Sequence, residues 1–211
     1  MIITYHGSEF IKAQMGDVVV AFNPIGRGSS FKESRFGSDI ALVSLNHPDF
    51  NGVEQLTYKD KEPFVILGPG EYEVRGIFVK GFLTRSTHDK KNCINTIYTM
   101  KFDNINLCHL GALGSSEEMT GDLKEKIGNV DILFVPVSGG DVLEASEASK
   151  VVLALSPKVV IPIGYDNKQK NQLDAFLKEV GNNVKPIDKL TIKKNDLLDK
   201  EGEIIILRSQ T

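Results

Sequence analysis

Two different patterns of apolar segments divide the chain near residue 130. Before this point, short apolar runs such as MIITYH, EFIKAQ and DVVVAFNP follow one another with tight turns between them, as antiparallel strands do. After it, the continuous apolar runs DILFVPV and PKVVIPIGY alternate with segments of helical spacing, which is typical of parallel strands joined by helices. A chain with both patterns is expected to form two mixed sheets packed face to face, with helices outside.

The two helical segments support this architecture. LEASEASKVVLAL, residues 143–155, places apolar residues at intervals of three and four, and QKNQLDAFLKEVG, residues 169–181, ends at a glycine. The chain has 211 residues and a hydrophobic content of 41%, which suits one soluble globular unit. The sequence therefore predicts an α/β fold, a four-layer αβ/βα sandwich, in a single domain over residues 1–211.

The charge of the chain bears on its partners. There are 25 Lys and Arg residues against 28 Asp and Glu residues, and no basic tract is present. Because a phosphate backbone is bound by clustered cations, this balance argues against nucleic acid as the main partner. No apolar run approaches the ~18 residues of a membrane span, and the first residues lack the pattern of a secretory signal. We expect a cytoplasmic protein whose partner is a small molecule, another protein, or further copies of itself.

The segment VSLNHPDFNG, residues 43–52, carries the chemistry that suggests a function. It places His47 and Asp49 just after DIAL, which has the composition of a buried strand. Imidazole and carboxylate groups are common ligands of zinc, and a strand end is a common place for them. Farther along the chain, THD contains His88, and CHLGALG and PKVVIPIGYDN follow.

The order of elements and these four segments resemble the metallo-β-lactamase fold, most closely its small lactonase-like hydrolases, similar to ascorbate-6-phosphate lactonase. The resemblance covers nearly the whole chain and implies the αβ/βα sandwich. In this family a strand ends in Thr-His-x-His-x-Asp-His, and the ligands hold two metal ions. Aligned with that pattern, the chain retains three ligand residues, His47, Asp49 and His88. The other family ligand positions carry Leu45, Phe50, Ala112 and Gly164.

This degenerate metal motif leaves two functions open. A catalytic zinc usually has about three protein ligands and one open position for water, and neither of the two family sites retains three. The first hypothesis is a non-catalytic protein of this fold that needs no cofactor and acts by binding a ligand or a partner. The alternative is a hydrolase of a small phosphorylated or lactone-type substrate, with one zinc or manganese ion held by His47, Asp49 and His88.

The segment GPGEY, residues 68–72, is a second candidate site. Pro69 and Gly70 suit the central positions of a type II turn, which would close a hairpin and expose Glu71 and Tyr72 near its end. Glu71 and Tyr72 are candidate ligand-binding residues that could contact a substrate or a partner; the pattern favours the alternative, a turn that only sets the hairpin register. VSGGDV, residues 137–142, follows the strand DILFVP, and its backbone amides could bind an anion or form a plain strand–helix connection.

Overall fold

In a computed structural model, which describes residues 1–59, 61–165, 170–181 and 184–210, the chain forms two mixed β-sheets. The first sheet contains, in spatial order, β12 (Leu190–Thr191), β1 (Ile2–Tyr5), β2 (Ile11–Met15), β3 (Val18–Phe22), β4 (Ile40–Leu42) and β5 (Phe64–Ile66). The second contains β13 (Glu203–Ile204), β11 (Val159–Ile163), β10 (Ile132–Pro136), β9 (Ile105–His109), β8 (Lys91–Phe102), β7 (Ile77–His88) and β6 (Gly70–Val74).

Three α-helices complete the described part of the chain: α1 (Gly121–Ile127), α2 (Ala145–Leu155) and α3 (Lys170–Glu179). Short 3₁₀ helices cover Val53–Gln55, Ser116–Glu118 and Lys194–Leu197. Both helices predicted from the apolar spacing are present as α2 and α3, although residue 169 of the second prediction lies outside the described residues. Within the described residues, no helix is long and apolar enough to cross a membrane.

Apolar side chains form separate layers on both faces of the second sheet. Between the two sheets, Phe22 of the first packs in one core with Tyr98 and Phe134 of the second. On its outer face, residues of α1, α2 and α3 pack against β9, β10 and β11. The outer face of the first sheet is covered by Phe31 and Phe36 of the segment before β4 and by the 3₁₀ helix Val53–Gln55. These layers confirm the predicted α/β sandwich.

The carboxyl ends of the parallel strands meet where the two sheets approach each other. In the first sheet β3, β4 and β5 are parallel, and in the second β9, β10, β11 and β13 are parallel. The backbone N–H of Gly164, just after β11, donates to the carbonyl oxygen of Ser8 in the β1–β2 loop at 2.7 Å. Nε2 of His109, the last residue of β9, lies 3.0 Å from the carbonyl oxygen of Glu9. Residues that follow these strands are therefore brought close together.

The segment GPGEY does not form the predicted hairpin turn. β5 belongs to the first sheet and β6 to the second, so residues 67–69 connect the two sheets. Gly70 is the first residue of β6 and has a φ of 150°, whereas a type II turn needs about +80° there. The hairpin turn lies at Arg75–Gly76, between β6 and β7. The turn prediction was wrong because a strand pattern does not show which sheet the strand joins.

The hairpin of β7 and β8 extends farther than the sequence indicated. Each strand has twelve residues, and His88 is the last residue of β7, paired with Lys91. Asp89 and Lys90 both have positive φ, as in the two-residue turn of a type I′ hairpin. His88 therefore occupies a strand end held by the ladder.

Candidate metal centre

The turn after β4 positions His47 and Asp49. β4 is paired on both sides, with β3 and with β5, so the point where this turn begins is well defined. The carbonyl oxygen of His47 accepts hydrogen bonds from the N–H groups of Phe50 and Asn51 at 2.9 and 2.8 Å, which closes the turn. The hydroxyl of Ser29 donates to Oδ1 of Asp49 at 2.5 Å. The other oxygen, Oδ2, faces the two imidazoles.

His88 completes a cluster of three donor atoms. Its Nε2 lies 3.1 Å from Nδ1 of His47. Oδ2 of Asp49 lies 3.5 Å from Nδ1 of His47 and 3.7 Å from Nε2 of His88. Two ligand atoms about 2.0–2.1 Å from a tetrahedral zinc are ~3.4 Å apart, so these separations are those of ligands around one ion. The structure thus brings together the three residues that the sequence indicated as metal ligands.

Two further carboxylates face the outer nitrogens of the imidazoles. Oδ2 of Asp89 lies 3.3 Å from Nε2 of His47, and Oδ2 of Asp141 lies 3.7 Å from Nδ1 of His88. The backbone N–H of Asp89 also donates to Oδ2 of Asp141 at 3.1 Å. A metal-bound histidine normally donates its other N–H to a carboxylate, which fixes the orientation of the ring. Asp89 is also an alternative ligand, because it forms a group with both histidines in which the ligand atoms lie within 4.8 Å of one another.

Neither of these carboxylates was predicted. Asp89 follows His88 directly, and its position next to a candidate ligand was the only available signal. Asp141 lies more than fifty residues farther along, in a loop before α2, and no local pattern connects it with a histidine.

Three positions that lack a family ligand form an apolar cluster. Leu45, Phe50 and Ala112 pack together with Val142, and the half-buried Cys93 lies against them. The ring of Phe50 meets the imidazole of His88 edge to face, with centroids 5.4 Å apart. Because Leu45, Phe50 and Ala112 offer no donor atoms, the residues at these family positions fit one metal ion and do not fit a second.

Gly164, the fourth such position, lies against a buried carboxylate. Its φ is +80°, and a Cβ atom there would lie 2.8 Å from Oε1 of Glu9 and 3.2 Å from the hydroxyl oxygen of Ser138. Glu9 is only 4% exposed and accepts a hydrogen bond from the hydroxyl of Ser8. Burial raises the pKa of Glu9 to about 7, and the nearby charge of Asp49 adds to the increase. A carboxyl group therefore occupies the space where a side chain at position 164 would begin.

The remaining two histidines are held by other contacts. Nδ1 of His109 accepts from the N–H of Gly111 at 3.0 Å, and its Nε2 faces the Glu9 carbonyl, which requires the neutral Nε2–H form. Burial lowers the pKa of His109 to about 3. His6 contacts the hydroxyls of Thr4 and Ser34, and burial lowers its pKa to about 4. Neither histidine belongs to the metal cluster.

The other predicted ligand-binding residues have partners of their own. The carboxylate of Glu71 pairs with Lys80 at 3.0 Å, directly across from it on β7. The hydroxyl of Tyr72 donates to the carbonyl oxygen of Gly68 at 3.0 Å, at the crossing between the sheets. Neither residue belongs to the metal cluster, and a ligand-binding role for them stays a prediction.

The amides of VSGGDV are also engaged. The N–H of Gly139 donates to the carbonyl oxygen of Leu143 at 3.1 Å, and the N–H of Gly140 donates to Oε1 of Glu144 at 3.1 Å. These two amides are bound by the chain itself, so this segment forms a strand–helix connection.

Two mixed sheets with histidine and aspartate side chains at or just after the ends of their strands define a protein of the metallo-β-lactamase fold. Comparison with known families agrees, because residues 2–164 match the family described as the beta-lactamase superfamily domain. The chain belongs to this superfamily.

The relatives carry names that refer to metal-dependent hydrolysis. A UPF0173 metal-dependent hydrolase of Pyrococcus horikoshii is 29% identical over 112 residues, which cover 52% of this chain and 49% of that protein. This chain therefore matches only about half the length of that relative. A UPF0173 metal-dependent hydrolase of Lysinibacillus sphaericus is 23% identical over 199 residues, covering 79% and 86% of the two chains.

A solved structure from Thermotoga maritima resembles this chain along its whole length. It is provisionally described as a Zn-dependent hydrolase of the metallo-β-lactamase superfamily. It is 26% identical, has a TM-score of 0.77, and the match covers 98% of this chain and 97% of the other. The predicted family is therefore confirmed.

Proposed function

We propose that this protein is a hydrolase that uses one zinc or manganese ion, held by His47, His88 and Asp49. The observation that carries the proposal is the set of separations between their donor atoms, 3.1, 3.5 and 3.7 Å. The names of the relatives support a metal-dependent hydrolase over a protein without catalytic activity. Of the two hypotheses that the sequence left open, we therefore favour the hydrolase.

The donor set suits the proposed ions, because imidazole and carboxylate ligands bind both zinc and manganese. An ion bound there would lower the pKa of its water toward ~7 and polarise the carbonyl group of a substrate. Asp89 would accept a hydrogen bond from Nε2 of His47 and keep that ring oriented, and the carboxylate of Asp141 would face Nδ1 of His88 at 3.7 Å. Phe50 covers one side of His88 and keeps water from that side.

A non-catalytic binding protein is the second candidate. The observation that favours it is the apolar cluster of Leu45, Phe50 and Ala112, which takes the place of three ligands of the two-metal family site. A protein that had lost hydrolysis could retain this fold and use its surface for binding a ligand or another protein.

The metal content and the hydrolytic activity of the purified protein test the proposal. The protein is prepared without an affinity tag, treated with EDTA and titrated with zinc or manganese in a calorimeter. Hydrolysis of p-nitrophenyl acetate and of the lactone dihydrocoumarin is then measured with each ion. We expect one ion per chain, turnover that depends on it, and loss of both in His47→Ala. His6→Ala is the matched control and should retain both, because His6 lies outside the cluster.

Each alternative has a distinct result in this experiment. One bound ion without turnover would favour the non-catalytic candidate. Two ions per chain would contradict the single-metal site, and no bound ion would contradict the proposed function altogether.

A further inference from the structure

A groove with a volume of about 620 Å³ lies beside the metal cluster. Residues 85–87 and 92–94 of the β7–β8 hairpin form one side, and Gly114, Ser115, Glu118, Gly140 and Asp141 form the rest. Asp141 belongs to both places, because its Oδ2 also faces His88 at 3.7 Å. The volume is within the range of ~300–1,000 Å³ typical of small-molecule sites. A molecule bound in this groove would therefore lie next to His88.

Strand alternation decides which hairpin side chains face the groove. The hydroxyl of Ser86 donates to the carbonyl oxygen of Ala112, and a Cβ on Gly114 would lie 3.5 Å from that hydroxyl. The side chain of Ser86 therefore faces the loop that forms the opposite wall. Successive residues of a strand point to opposite faces, so the side chain of Arg85 is directed away from this loop. Arg85 contributes its backbone N–H, which donates to Oε2 of Glu118 at 2.9 Å.

Apart from Arg85, whose side chain strand alternation directs away from the loop, the charged residues that line the groove are the acidic Glu118 and Asp141. Glu118 accepts the N–H of Arg85, and Asp141 accepts the N–H of Asp89. Within the described part of the chain, neither carboxylate forms an ion pair with lysine or arginine. Apart from Arg85, no lysine or arginine is among the described residues that line the groove. The groove therefore favours neutral or positively charged molecules and disfavours anions.

We propose that this groove binds the substrate, and that the substrate is a neutral or cationic ester, lactone or amide. This proposal rests on the proposed function, because the groove is assigned to the substrate through its position beside His88. A cationic part of the substrate lies near Glu118 and Asp141, and the carbonyl group that is hydrolysed lies toward the metal cluster. Of the phosphorylated and lactone-type substrates considered from the sequence, the acidic groove favours the lactone type.

Three esters of similar length test the charge preference. They are the p-nitrophenyl esters of 6-(trimethylammonio)hexanoate, hexanoate and hydrogen adipate, which are cationic, neutral and anionic. With the zinc-loaded protein we expect kcat/KM for the cationic ester to exceed that for the anionic ester by about tenfold, from the charge of nearby carboxylates. Glu118→Gln should reduce this ratio about threefold. Glu73→Gln, which changes an exposed glutamate of β6 outside the groove, should leave the ratio unchanged.

A binding measurement without metal separates this proposal from the proposed function. The ¹⁵N-labelled, EDTA-treated protein is titrated with 4-(trimethylammonio)butanamide and, separately, with succinamate. We expect the cationic amide to shift the amide signals of Ser86, Gly114 and Gly140, and succinamate to bind at least about tenfold more weakly. Faster hydrolysis of the anionic ester, tighter binding of succinamate, or no shift with either amide would overturn the inference. Shifts by the cationic amide in a protein without turnover would refute the proposed function and still support the ligand preference.

Discussion

Substitution of Gly164 by alanine tests whether Glu9 fills the space next to this glycine. Position 164 has a φ of +80°, a conformation that costs a residue with a Cβ about 1–2 kcal/mol. The new Cβ would also lie 2.8 Å from Oε1 of Glu9, which is too close for a relaxed contact. Glu9 is buried and bonded to Ser8, so moving its carboxyl group should cost a further ~1–2 kcal/mol. We expect Gly164→Ala to lower the free energy of unfolding by about 2–4 kcal/mol.

Equilibrium unfolding of the metal-free protein in urea can separate the two contributions. Gly202→Ala is the control, because Gly202 has a φ of +65° and a Cβ there would have no neighbour within 4 Å. The loss of unfolding free energy in Gly202→Ala should therefore measure the backbone cost alone. In the Glu9→Ala background, the loss of stability caused by Gly164→Ala should fall by ~1–2 kcal/mol toward that of the control, and the contact with the Ser138 hydroxyl at 3.2 Å remains. If the substitutions at positions 9 and 164 are additive, or if Gly164→Ala costs no more than Gly202→Ala, Glu9 does not fill this space.

Three further predictions follow from the site and the groove. His47→Ala should abolish zinc binding in calorimetry, and His88→Ala should weaken it less. The reason is that Nδ1 of His47 lies closer to the other two donor atoms than these lie to each other. A larger loss of zinc binding in His88→Ala would contradict this geometry. Burial raises the pKa of Glu9 from 4.5 to about 7, so its contribution to stability is complete below pH ~4.5 and is lost as the pH rises through 7. Between pH 4.5 and 8, the free energy of unfolding of the metal-free protein should therefore fall by at most ~3 kcal/mol more than that of Glu9→Gln. If the free energies of the two proteins change with pH in the same way, this prediction is wrong. N-Ethylmaleimide should modify Cys93, which lines the groove, and leave the fully buried Cys108 unchanged; mass spectrometry measures this. The modified protein should no longer bind the cationic amide. In Cys93→Ser, N-ethylmaleimide should not affect binding of the cationic amide. If the modified protein binds this amide as well as the unmodified protein does, the substrate site does not lie in the groove.

The layers of the fold could be predicted from the sequence because burial leaves a local signature. The runs around β4, β10 and β11 are continuously apolar, and the structure buries every residue of these strands. The turn at Asp103–Asn104 between β8 and β9 is equally local, since both residues adopt the positive φ that such turns need. His47 and Asp49 belong to the same category, because they are two residues apart in one turn.

Only the tertiary structure decided how distant segments meet. The pattern of β6 is the same whether it joins the sheet of β5 or the other sheet, and the turn predicted at Pro69–Gly70 was wrong for that reason. The approach of Asp141 to His88, and of Glu9 to Gly164, joins residues separated by more than fifty positions. Such pairs depend on how the two sheets pack, and periodicity and spacing describe only neighbours along the chain. The sequence could therefore indicate three candidate metal ligands, whereas the approach of Asp141 to His88 and the acidic groove beside it arise from the packing of the sheets.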